Sequence, residues 1–267
     1  MRTPALFLAI LIGLTGCERP SAQVDSADTL SDRIQERFEA NLGSVGELAV
    51  TGAGVRADFQ AMGDSTVRQF VPSFTPADSA AYDPQAAQLL GTFLPNVPAL
   101  ASALRGGTYI GERRREGRPA LVVSSDNPEL TGGSADGVGR AARVFVDPET
   151  FDILEIEQSA RIDSFQQPVA RRIVYEDFRD VDGTRLPFLV RQLDSGQDQQ
   201  LSESDQNARR MMLGGELALK RQQAANMPAG PERDAAIAEA DREIQNLEAG
   251  IAEVILRVDS IRVTRTD

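Results

Sequence analysis

Arg143-Val144-Phe145-Val146-Asp147-Pro148-Glu149-Thr150-Phe151-Asp152-Ile153-Leu154 and, further on, Ile173-Val174-Tyr175-Glu176-Asp177-Phe178-Arg179-Asp180-Val181-Asp182-Gly183-Thr184-Arg185-Leu186-Pro187 decide the fold. Each is a strand-rich run broken by turn residues. Asp147-Pro148-Glu149-Thr150 interrupts the first, and Asp182-Gly183, a pair suited to tight hairpins, interrupts the second. Similar runs at 107–114, 120–123, 140–146, 151–161, 168–177 and 185–193 recur about every ten residues, punctuated at 116–119 and in the glycine-rich 131–139. Consecutive strands on short turns predict an antiparallel meander, and together with helical segments on either side of it, an α+β fold that is mainly β.

On the N-terminal side, Leu30, Ile34 and Phe38 recur at helical spacing, with Ser26 or Asp28 to cap the start and Asn41 or Gly43 to end it. From Val45 the period changes to two, giving strands through Leu48, Val50, Val55, Ala57 and Phe59, with glycine at a bend or bulge, and a further strand over 66–74. Residues 84–104 are helical and almost wholly apolar, but Pro95 and Pro98 break or kink them. Such a segment must be buried against one face of the sheet. Phe93, Leu94, Val97 and Leu100 are its candidate ligand-contacting residues, either as the cover of a cavity or as plain core.

On the C-terminal side, residues 196–251 turn to Ala, Leu, Glu, Arg and Gln around Met227-Pro228-Ala229-Gly230-Pro231, which predicts an inserted helical hairpin. Ile237, Ala240, Ile244, Leu247, Ile251 and Val254 form a seam of alternating three and four spacing. That seam either packs on the other arm or offers Ile237, Ile244, Leu247 and Ile251 to a protein partner. Val254 to Thr264 returns to strand composition and predicts a final strand.

The first seventeen residues read differently. Arg2, the apolar run from Ala5 to Leu14 and small residues before a cysteine make an export signal, because about ten apolar residues are half of what a spanning helix needs. Leu14-Thr15-Gly16-Cys17 resembles the bacterial lipobox, which implies a signal peptide over 1–16 and a lipid on Cys17 that anchors the chain to a membrane. Residues 17–27 read as a flexible tether and 28–267 as the folded domain. Glu18, in place of the aspartate that resembles an inner-membrane retention signal, predicts the outer membrane, periplasmic face.

Composition narrows the chemistry. The 267 residues contain no histidine and one cysteine, which removes imidazole bases, Ser-His-Asp sites, thiolate metal sites and disulfides. A formal net charge of −12 argues against nucleic-acid binding. Asp177, Asp180 and Asp182 lack the spacing and closing glutamate of a calcium loop, and no carboxylate pair stands out for catalysis. The expectation is a non-enzymatic protein with no metal and no cofactor.

The short helix before Val45, the run Gly111-Glu112 to Gly117-Arg118-Pro119-Ala120-Leu121-Val122-Val123, and the stretches Arg143 to Leu154 and Ile173 to Pro187 resemble the periplasmic lipoprotein-sorting superfamily of carriers and receptors. The resemblance spans roughly 28–195 and the last strand, without the helical hairpin. It implies a curved antiparallel sheet, a half-barrel, whose apolar face is covered by helices and holds acyl chains. The expected function is therefore binding of an acyl chain, a lipoprotein or another amphiphile. The competing expectation is an envelope scaffold or sensor that binds a protein through the hairpin.

Overall fold

Ten antiparallel strands form one open sheet in the order β3-β2-β1-β10-β9-β8-β7-β6-β5-β4 in the computed structural model, which describes residues 24–63, 69–77, 82–127, 130, 139–161, 168–196 and 202–266. The export signal, Cys17, most of the tether, the start of the strand expected from Thr66 and residues 131–138 lie outside the described residues.

Helix α1 (Ala27–Leu42) starts where Ser26 accepts a hydrogen bond from the Thr29 backbone N–H and ends at Gly43. Its apolar stripe of Leu30, Ile34, Phe38 and Leu42 is buried. Strands β1 (Val45–Gly52), β2 (Val55–Met62) and β3 (Gln69–Pro76) follow as a meander. The expected apolar helix is divided into helix α2 (Pro84–Leu89), a 3-10 turn (Leu90–Thr92) and helix α3 (Val97–Leu104); Pro95 lies in the gap, while Pro98, expected to break or kink the helix, is accommodated in the first turn of α3. A second meander runs through β4 (Thr108–Arg115), β5 (Arg118–Ser125), β6 (Gly139–Val146), β7 (Ile153–Arg161), β8 (Val169–Val181) and β9 (Thr184–Ser195). Asp182 and Gly183 connect β8 to β9 with φ of 51° and 74°, the doubly left-handed geometry of a tight hairpin that glycine adopts without strain.

Helices α4 (Glu203–Ala225) and α5 (Pro231–Glu248) form a pair between β9 and the last strand, β10 (Ile251–Arg265). That strand joins the two meanders, since Ile251 to Arg257 pair with β9 while Val258 to Arg265 pair with β1. Here the expectation from sequence needs correction. Ile251 and Val254 are strand residues, Ile251 lying opposite Ser195, and the helical seam ends at Leu247. The helix stops at Glu248, Gly250 takes a φ of 69°, and the β-branched residues after it pair with β9. Ile251 and Val254, three residues apart, point to opposite faces of β10, so they continue the helical spacing only by coincidence.

The two faces of the sheet differ. Leu48, Val50, Phe59, Val123, Val144, Leu186, Val190 and Leu256 make one core with α1, α2 and α3. On the other face, α5 lies against the first half of β10, where Arg242 pairs with Glu253 and Glu239 with Arg257. The residues alternating with the core positions there form a small apolar cluster of Ala120, Val122 and Phe145 and, beside it, a set of buried charges. Glu155 of β7, 2% exposed, receives both Arg115 (3.0 and 2.8 Å) and Arg172 (2.6 and 3.0 Å). Arg191 of β9, 3% exposed, lies 2.9 Å from Glu176 and 3.1 Å from each of Glu116 and Glu253.

Candidate functional site

The chain between α2 and α3 crosses the packed face of the sheet, and its two ends are held differently. The far end of α3 is bolted on several sides. Ser31 donates to the Ala101 carbonyl at 3.0 Å, Ser125 to the Ala103 carbonyl at 3.0 Å, Asp28 accepts from the Gly106 N–H, and Arg105 pairs with Asp32. The near end has fewer bonds to distant elements. The Tyr175 hydroxyl donates to the Thr92 carbonyl at 3.0 Å, and Asn96 reaches Gln69 at 3.4 Å on the surface. Burial pushes the Tyr175 phenol well above its usual pKa, so it stays protonated and acts as a donor at any physiological pH.

The residues expected to contact a ligand sit in this crossing. Phe93 (0% exposed), Val97 and Leu100 are buried as deeply as the rest of the core, Phe93 against Phe59 with ring centroids 5.9 Å apart. Leu94 is half-buried. Phe93, Leu94 and Val97 line a mainly apolar pocket of about 70 Å³ together with Ile34, Phe178 and Leu186. Leu100 lines a neighbouring groove of about 290 Å³ instead, with Ile156, Ile173 and Tyr175 on its sheet side. A third, smaller space of about 50 Å³ opens beside Phe38 and Phe70. Leu94 and Pro95 are walls of all three spaces. As the crossing stands, the central pocket is below the ~150 Å³ that admits a benzene ring.

A charged trio lines the pocket, and nothing in the sequence pattern singled it out. Asp152, 8% exposed, accepts from Arg37 Nε at 2.9 Å, from Arg185 Nε at 2.7 Å and from the Thr150 hydroxyl at 2.9 Å. The backbone that presents Asp152 is strained. Phe151 has a φ of 57°, a left-handed conformation rare for a bulky residue, and the turn is held by the Phe151 N–H on the Asp147 carbonyl and the Asp147 N–H on the Asp152 carbonyl. Arg185 is fixed through its backbone, which exchanges two hydrogen bonds with the Asn41 side chain at 2.8 and 2.7 Å. For Arg37 alone a faint signal exists: it stands beside Phe38 at the edge of the apolar stripe of α1, where a solvated cation is out of place.

Ile237, Ile244 and Leu247 are half-buried, and Leu247 reaches α4 beside Gly214. The apolar side chains that face solvent belong to α4: Met211 is 80% exposed, Met212 69% and Leu219 55%. Among the described residues, no helix is long and apolar enough to cross a membrane, and no group of three or more His, Cys, Asp or Glu side chains is placed to hold a metal ion. No family model, curated protein or solved structure matches this chain.

Proposed function

We propose that this chain is a non-enzymatic envelope lipoprotein, anchored through a lipid on Cys17 at the periplasmic face of the outer membrane, that takes up an acyl chain, of a lipid or of a lipoprotein, beneath the 92–97 crossing. In this reading the open sheet is a curved half-barrel covered by α1, α2 and α3. The observation that carries it is the Leu94-Pro95 turn, which is a wall of three spaces on the packed face and is tied to the sheet beneath it by the Tyr175 hydroxyl on the Thr92 carbonyl. An apolar segment bolted at one end and lightly latched at the other is suited to gating an apolar site.

Native mass spectrometry of the protein purified from bacterial cells tests this. A copurifying lipid that exchanges with added fatty acid is expected; a clean apoprotein that binds no amphiphile overturns the reading. The latch has its own test. Tyr175→Phe leaves the Thr92 carbonyl without its donor, so stability to urea falls by about 1 kcal/mol, and stopped-flow association of a fluorescent fatty acid becomes faster. An unchanged association rate would show that the crossing does not gate the site.

The anchor is checked by fractionation. Cys17→Ser is expected to leave the fold intact, because Glu18-Arg19-Pro20-Ser21-Ala22-Gln23 are polar or small and offer little apolar surface to a core, and the protein is expected in the soluble fraction. Continued membrane attachment of the variant would show a second means of binding.

One observation favours the scaffold reading. The outward face of α4 from Ala208 through Met211, Met212, Gly215 and Leu219 to Gln222 bears no charge, in a chain of which 25% is charged. A solvated helix face is normally polar, so α4, and not the expected seam of α5, is the surface on which a protein partner would dock.

A further inference from the structure

Arg37 and Arg185 bind Asp152 through Nε alone, and their terminal Nη groups have no hydrogen-bond partner among the described residues. The two guanidinium groups and one carboxylate leave a formal excess of one positive charge on the lining of an otherwise apolar pocket, in a protein of net charge −12. The arrangement is rigid. The Asp152 carboxylate is buried and fully engaged, Asn41 holds the Arg185 backbone, and the Arg185 guanidinium lies over the Phe178 ring at 5.5 Å. A buried carboxylate that orients two cations while using only one N–H of each leaves a preformed pair of donor forks. Such forks match an anion with two or more oxygens.

We infer that Arg37 and Arg185 are the head-group site of the pocket and that its ligand is a single-chain amphiphile with an anionic head, a carboxylate being the simplest. The apolar chain lies among Phe93, Leu94, Val97 and Phe178, and the head is bound by the Nη groups. Asp152 is a positioning residue: it holds the forks and, by cancelling one of the two positive charges, keeps the pair stable without a ligand. This inference rests on the acyl-chain reading and makes it specific, because a neutral chain gains nothing from the forks. Arg37 and Arg185 are 29% and 41% exposed, at the rim of the pocket, where charge-assisted hydrogen bonds to an anionic head are about twice as strong as neutral ones. Strain at Phe151 fits the same assignment, since it places the orienting carboxylate between the two arginines.

The test is isothermal titration of the full-length Cys17→Ser chain with dodecanoate, with dodecanol as the chain-matched neutral compound, and with acetate and inorganic phosphate as anions lacking a chain. Dodecanoate is expected to bind about tenfold or more tightly than dodecanol, with a preference that shrinks as salt is added, and acetate and phosphate to bind weakly or not at all. Arg37→Gln and Arg185→Gln should each lower dodecanoate affinity toward that of dodecanol and leave dodecanol affinity unchanged. Equal binding of dodecanoate and dodecanol by the unmutated arginines would overturn the head-group site while leaving the acyl-chain reading intact. Failure of both to bind would overturn that reading itself. Phosphate or acetate binding as tightly as dodecanoate would show a plain anion site and overturn the amphiphile assignment. The comparison of dodecanoate with dodecanol needs no arginine variant, so it stands even if one of them fails to fold.

Discussion

Glu155→Gln lowers the unfolding free energy by about 3 kcal/mol, near the lower end of what is lost when one partner of a buried ion pair is removed. Glutamine keeps the shape of the side chain but cannot receive two guanidinium forks at once. Arg115 and Arg172 are then left around a neutral amide on the outer face of β7. The cost stays at the lower end because Arg115 also meets Glu157 at 3.2 Å and Arg172 meets Glu116 at 3.2 Å, which retain part of the compensation. The pH dependence arises from the same site. Burial alone would raise the Glu155 pKa, but the hydrogen bonds and charges of Arg172 and Arg115 outweigh it and hold the carboxyl below its ordinary value. A carboxyl with a depressed native pKa stabilises the fold fully above its unfolded value of about 4.3. That stabilisation is lost as the pH falls through the lower native value. Urea melts at pH 7 and on the acid side of pH 4 should therefore show the gap between wild type and Glu155→Gln narrowing on acidification. A gap that is constant with pH would mean that the network contributes packing and not charge.

The parts of the fold legible in the sequence are those whose signal is local. Leu30, Ile34 and Phe38 with the Ser26 cap define α1 within a few residues. Asp182-Gly183 defines one hairpin, and Pro95 falls in the gap between the 3-10 turn and α3, whereas Pro98 sits inside the first turn of α3 and breaks nothing. The error at Ile251 and Val254 is also local in origin, because Ile251-Ala252-Glu253-Val254-Ile255-Leu256 is a short, nearly continuous apolar run that satisfies a helical spacing as readily as a strand one. The charged outer face was hidden for another reason. In a strand, alternating charge reads as a solvated face, and nothing near Glu155 reveals that Arg115 lies 40 residues before it and Arg172 17 after, or that Arg191 meets Glu116 across 75. The pocket trio is assembled in the same way: Arg37 and Asp152 are 115 residues apart, and only the packing of α1 on β9 brings them together with Arg185. The apolar wall of the site is legible because burial leaves a compositional trace, and the polar part is not, because long-range pairing leaves none.

Phe93→Ala carries the largest expected effect on stability, about 3–5 kcal/mol, the range for removing a buried phenylalanine. Phe93 is fully buried against Phe59 of β2 and anchors the crossing at its centre, so the whole ring is lost from a packed site. The response of this variant to ligand depends on whether the crossing is a gate or only core. Removing the ring enlarges the central pocket and weakens the segment that separates it from the neighbouring spaces. If an acyl chain enters there, it can occupy the vacated volume, and a ligand that binds only the folded state stabilises it by an amount set by its concentration and affinity. Saturating dodecanoate should then raise the Tm of Phe93→Ala by more than it raises the Tm of the wild type, recovering part of the loss. In a solid core the new cavity has no path to solvent, and the two proteins would respond to dodecanoate alike, with no shift in either. Thermal melts of both proteins with and without dodecanoate make the distinction in one experiment. A large loss of stability without ligand rescue would leave the crossing as core and remove the acyl-chain site.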